Sequence, residues 1–114
     1  MISLADWKKD KEEKVILEQC KTLIRKIEEN AIVILYGSRA RGDESPESDY
    51  DLLVLVDGPV SLKRENTIRL QVFDLELEME RVISVTAFSI QDWESSLYRS
   101  MPFWQNVNID GIVV

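Results

Sequence analysis

The stretch ILYGSRARGDESPESDYDLLVLV, residues 34–56, joins two apolar runs through a polar loop. Ala31–Tyr36 is an unbroken apolar run of strand length and Tyr50–Val56 is a second; such runs suit strands covered on both faces. Between them lies the polar loop Gly37–Ser48, with one short helical turn starting at Ser38. The second run is entered through Asp49 and Asp51. Residues i and i+2 of a strand point the same way, so these carboxylates project together while Tyr50 and Leu52 face the other side. A core gains nothing from two like charges. Held that close, one of them would take up a proton unless a cation lay between them.

Gly37 follows directly on the first strand. A glycine there lets a ligand approach the backbone, and the start of the next turn offers free N–H groups to an anion. Paired aspartates at a strand edge beside such a turn suit Mg²⁺, which takes one or two carboxylates plus substrate phosphates. Each feature alone has a plainer reading. Gly-Ser before a polar loop is common, Asp-x-Asp can be a solvated strand end, and Arg39 and Arg41 can neutralise the aspartates in a surface ion-pair network. The combination strand–Gly-Ser–loop–Asp-x-Asp–strand is far more specific than any part of it.

Outward from this stretch, residues 9–29 place Ile16, Cys20, Leu23, Ile24 and Ile27 at helical spacing, which predicts a helix ending near Asn30 with Cys20 as a small core residue. The second strand closes at the turn Asp57-Gly58-Pro59. Ser61 is an N-cap for a second long helix with the stripe Ile68, Val72, Leu75 and Met79. The segment DLELEME, residues 74–80, also alternates with period two, but the 3.6-residue stripe runs through it without a turn signal and assigns it to the helix. Val82–Phe88 is β-branched and reads as the third strand. A helical turn over Ser89–Arg99 capped by Ser89 or Asp92, a short helix over Pro102–Asn108 and an added edge strand at Ile112–Val114 complete an α/β architecture, a small mixed sheet packed with helices.

The 114 residues suit one domain with one core. No apolar run approaches the roughly 20 residues of a membrane span, and the N-terminus lacks a secretory apolar core, so a cytoplasmic protein is expected. A single cysteine agrees with a reducing compartment. The absence of histidine leaves acid–base and metal chemistry to carboxylates. The net charge is −7, with the acidic excess in residues 42–114. That surface repels a phosphate backbone and makes a long nucleic acid an unsuitable partner, while a small anion escorted by Mg²⁺ is compatible with it.

Gly37-Ser38, ten intervening residues and then Asp49-Tyr50-Asp51 resembles the signature of the DNA polymerase beta-like nucleotidyltransferases. The fuller string GSRARG…SDYDLLVLV is similar to the small prokaryotic members called minimal nucleotidyltransferases. The resemblance implies the fold of that superfamily and transfer of a nucleoside monophosphate, AMP from ATP, to a hydroxyl. It implies that Gly37 and Ser38 contact the triphosphate of ATP or another nucleoside triphosphate, that Asp49 and Asp51 ligate Mg²⁺, and that Arg39 and Arg41 assist with phosphate charge or brace the loop. Gly42 serves the loop's geometry.

Many minimal nucleotidyltransferases pair, as antitoxins, with an all-helical HEPN protein in toxin–antitoxin modules. A helical partner of that kind, or a second copy of the chain, is therefore expected. The aromatic residues Trp93, Tyr98, Phe103 and Trp104 either finish a small core or centre such an interface. The chain departs from the family pattern at one place. A third carboxylate is expected from the strand Val82–Phe88, which has none, and Ser84 stands near that place. Glu76, Glu78 and Glu80 are substitutes or a solvated helix face. An alternative function is a nucleotide-binding or protein-interaction module without efficient transfer.

Overall fold

The computed structural model describes residues 1–114. The chain runs β1 (Ile2–Ser3), α1 (Lys11–Arg25), β2 (Ile32–Tyr36), α2 (Gly37–Arg41), β3 (Tyr50–Val56), α3 (Leu62–Leu70), α4 (Phe73–Met79), β4 (Ile83–Ser89), α5 (Ile90–Trp93), α6 (Ser96–Arg99), α7 (Pro102–Asp110) and β5 (Ile112–Val113). The strands form one mixed sheet in the order β1-β5-β2-β3-β4. β2 runs antiparallel to β3 and β5, whereas β3–β4 and β1–β5 are parallel. This is the expected α/β fold, and it is consistent with the polymerase beta-like nucleotidyltransferases.

Both faces of the sheet are covered, which is why its central strands read as continuous apolar runs. Tyr50, Leu52, Val54 and Val56 of β3 enter the larger core with Leu17, Cys20 and Ile24 of α1 and with Ile68 and Leu75. Leu53 and Leu55 point the other way, into a smaller core with Ile34, Trp93 and Val107. By the same alternation Asp51 belongs to the smaller core's side, at the strand's entry.

The parallel β3–β4 pair requires a crossover, supplied by α3 and α4. Ser61 caps α3 as expected, its Oγ accepting the Arg64 N–H. The single long helix expected there is two helices, broken at Gln71–Val72, where the N–H groups of both residues bond three residues back. The apolar stripe hides the break because Ile68, Val72 and Leu75 are all buried across it. The crossover also protects the sheet's outer edge. Glu76 accepts the Ile83 N–H, Arg69 donates to the Val85 carbonyl and Glu65 accepts the Ala87 N–H. An open edge of that kind otherwise invites pairing with another chain.

Three further differences from the sequence reading have identifiable causes. α1 ends at Arg25 and continues in turns, so Ile27 lies beyond the helical stripe and is exposed. Leu17, like Cys20 and Ile24, is fully buried, whereas Ile16 is only half-buried. β5 is an interior strand rather than an edge, because Ile2 and Ser3 pair with Ile112 and Val113 outside it. Ser89 is the cap of α5, accepting from the Asp92 N–H.

The aromatic residues Trp93, Tyr98, Phe103 and Trp104 pack inward. Trp93 lies 6.0 Å from Phe88, 5.8 Å from Phe103 and 6.2 Å from Trp104, centroid to centroid, and Tyr98 meets Phe88 edge-on at 5.4 Å. They finish the smaller core.

Candidate active site

Gly37 leaves β2 with φ +78°, in the left-handed region that glycine enters without a Cβ penalty. A second constraint acts there: a Cβ on Gly37 would collide with Oδ2 of Asp51. The collision follows from register, since Tyr36 pairs with Asp51 across β2–β3. The Gly-Ser turn and Asp51 therefore stand against each other. Gly37 and Ser38 open α2, with no side-chain cap on its first N–H groups, and Gly42 ends it in the left-handed conformation at φ +84°.

Asp51 is half-buried and Asp49 is exposed. Neither takes part in any of the six ion pairs of the chain. Burial, and then the charge of Asp49, raise the Asp51 carboxyl above its ordinary value, while Arg41 pulls it down. The two aspartates are a partly desolvated negative pair with no ion-pair partner within 4 Å. Arg41 is the cation on their side; its guanidinium is shared with Asp43 at 3.3 Å and lies 4.0 Å from Asp110.

Arg39 goes elsewhere. It is 5% exposed, and its guanidinium stacks over the Tyr50 ring at 4.1 Å. Tyr50 lies between the two aspartates in sequence, so its side chain is on the opposite face of the sheet. The structure thus brings Gly37, Ser38, Arg41, Asp49 and Asp51 to one place and turns Arg39 away from it.

The nucleotidyltransferase domain family matches residues 9–101. The chain belongs to the nucleotidyltransferase family. A solved structure described as a crystal structure of a toxin–antitoxin with AMP-PNP is similar to this chain with a TM-score of 0.58 and 18% identity, covering 84% of this chain and 69% of that one. A likeness at that identity shows a shared fold. No curated protein matches the chain.

In this family member the neighbours of Asp51 on β4 are hydroxyls. Ser84 is its register partner, and Thr86 lies on the same face two residues along. Burial, and in smaller part the charge of Asp51, push the Tyr36 phenol above its ordinary value, with Thr86 opposing them. No group of three or more Asp, Glu or Cys side chains is placed to hold a metal ion together. Glu76 is occupied on the larger core's side, bonding the Ile83 N–H at 2.9 Å, and Glu78 lines a groove between α1 and α4. Neither meets the aspartates.

Two carboxylates beside hydroxyl oxygens are a hard donor set that suits Mg²⁺. Asp49 and Asp51 are the residues that could hold it. Sequence reasoning did not single out Glu13, whose carboxylate bonds both Arg39 and Tyr50 behind the site. The available signal was Tyr50 itself: a tyrosine in a buried run needs a partner for its hydroxyl.

Proposed function

We propose that this nucleotidyltransferase transfers AMP from ATP to a hydroxyl of a partner protein, acting as the antitoxin of a toxin–antitoxin pair in the cytoplasm. The observation that carries the reading is the close approach of Asp51 to Gly37, with the charge of Asp49 beside it and no ion-pair partner for either carboxylate. Carboxylates placed against a phosphate-sized turn need a cation and a polyanion together. Gly37 and Ser38 hold the β- and γ-phosphates through backbone N–H groups, and Arg41 adds charge from the end of α2. Mg²⁺ held by Asp49 and Asp51 would stabilise charge on the attacking and leaving oxygens of an in-line displacement at the α-phosphate. The acceptor oxygen forms its bond to that phosphorus as the bond to pyrophosphate breaks, and the hydroxyl proton passes to solvent.

A helical partner, of the HEPN type, supplies the acceptor; the toxin–antitoxin neighbour that shares this fold supports a protein partner, and the helical type follows from the family resemblance alone. A second copy of the chain is the alternative partner. The lone cysteine is buried and its thiol is pushed up to about 12 by desolvation, the character of an inert core residue in a reducing compartment.

The decisive experiment incubates the protein with labelled ATP, Mg²⁺ and the product of the neighbouring gene. Covalent label on that product is expected, and it is lost, together with Mg²⁺-dependent nucleotide binding, in Asp49→Asn with Asp51→Asn. That variant keeps its fold. Unchanged nucleotide affinity in it would refute the site.

Ser84 favours a second reading. It occupies the register position beside Asp51 where the family resemblance implies a carboxylate. A chain that binds nucleotide and partner without labelling the partner would then be a binding module.

A further inference from the structure

The face of the sheet behind the aspartates carries a network that the proposed reaction does not use. Arg39, a buried arginine, directs all three guanidinium nitrogens to acceptors: Nε to the Ser48 carbonyl at 2.8 Å, Nη1 to Glu13 Oε1 at 3.0 Å and Nη2 to the Pro46 carbonyl at 3.3 Å. The other oxygen of Glu13 accepts the Tyr50 hydroxyl, and the Tyr50 ring lies under the guanidinium. Charge-assisted bonds in a desolvated setting are the strong ones, and a planar fork pre-organises several at once.

The residues tied here are the sequence neighbours of the site. Arg39 follows Ser38 directly, Tyr50 separates Asp49 from Asp51, and Ser48 and Pro46 end the loop that delivers Asp49. Displacing the guanidinium moves the Gly-Ser turn and the loop end together or separates them. Lys9 pairs with Glu44 and Arg81 donates to the Pro46 carbonyl, so the same loop is fastened at two further points.

We propose that Arg39, Glu13 and Tyr50 form a clamp on the buried side of the sheet that sets the spacing between the Gly37–Ser38 turn and the Asp49–Asp51 pair. They are positioning residues: they touch neither nucleotide nor acceptor. The clamp makes α1, through Glu13, part of the site although no α1 side chain reaches it. Its functional consequence rests on the proposed nucleotide site; its structural consequence does not.

Two measurements separate these. In the protein without nucleotide, Glu13→Gln and Tyr50→Phe should each speed amide hydrogen exchange over residues 43–49 by roughly tenfold, the order expected for losing a charge-assisted bond, with exchange in β2 and β3 unchanged. Exchange over 43–49 at the wild-type rate in both variants would overturn the clamp. The second measurement is the Kd for a non-hydrolysable ATP analogue with Mg²⁺, taken well below the melting temperature. Glu13→Gln should weaken it by roughly tenfold, with Arg39→Lys and the double variant no weaker than the worse single change, because the residues act as one unit. Ile24→Val, which loosens the core without touching the clamp, should bind as the wild type does. If exchange rises but affinity holds, the network is structural and its positioning role is overturned. If the wild type itself binds no nucleotide, the site reading fails, and exchange alone decides whether the clamp holds the loop.

Discussion

Gly37 carries two independent requirements, and a substitution separates it from Gly42. Both have left-handed φ, but only at Gly37 would a Cβ meet another side chain, that of Asp51; at Gly42 nothing lies within 4 Å. Gly42→Ala should therefore cost about 1 kcal/mol, the backbone penalty alone, and leave nucleotide affinity intact. Gly37→Ala should cost about 1–3 kcal/mol and displace the Asp51 carboxylate, so binding falls as well. Denaturant midpoints and nucleotide titration of the two variants make the comparison. Equal binding losses would mean that the contact with Asp51 is incidental. Ser84 supports a gain-of-function test at the same scale. Its register beside Asp51 means that Ser84→Asp brings a third carboxylate to the pair, and metal-dependent transfer should rise relative to wild type. If the wild type already transfers efficiently, Ser84 is not the limiting position.

Elements are fastened to one another by a few arginines. Arg64 of α3 makes a bidentate pair with Glu28, at 2.8 and 2.7 Å, and donates to the carbonyls of Asp57 and Pro59. It joins the turn after α1, the end of β3 and the start of the crossover. The hydrogen bonds from Arg64 hold the Glu28 carboxyl below its ordinary value of 4.5. A carboxyl lowered in the folded state contributes stability that is present above its unfolded value and is lost as pH falls through the folded one. Glu28→Gln should thus lower the melting temperature at pH 7, and the gap to wild type should close as pH falls below about 4. Thermal melts at pH 7 and pH 3 check this; a gap independent of pH would mean the bonds matter and the charge does not.

At the scale of the whole molecule, the sheet divides two cores of unequal size, and the smaller one depends on rings. Trp93 is 6% exposed and touches Phe88, Phe103 and Trp104. Trp93→Ala should cost about 3–5 kcal/mol, a large share of the roughly 5–15 kcal/mol that holds a domain together. A melt far below wild type, or loss of cooperative unfolding, is expected. A Trp93→Ala protein that melts normally but fails to bind a partner would return this ring to an interface role. Leu97, 69% exposed on α6, is the contrasting position. Leu97→Ser should melt as the wild type does, and any loss of partner binding in it would report the surface directly.

Short-range chemistry made much of this legible beforehand. The strands β2 and β3, the Gly-Ser turn, the Ser61 cap and the nearness of Asp49 to Asp51 follow from composition and from the period of two, which act within a few residues. Other features depended on distant parts of the chain. The broken crossover helix is invisible to a periodicity that continues across the break. β5 became an interior strand only because the first residues of the chain pair outside it. The ambiguity of the aromatic residues ended with the sheet face they cover.

Arg39 is the clearest case. Its place in GSRARG suggested a phosphate ligand or a loop brace, and sequence alone left both open. Its direction was decided by Glu13, 26 positions away, and by the Tyr50 ring, because a buried guanidinium must find acceptors wherever the folded chain supplies them. The sequence by itself determined which residues meet at the Gly37–Asp51 turn and what charge they bring. Only the tertiary structure decided what stands behind them, because the direction of a long side chain is set by partners that are remote in sequence and near in space.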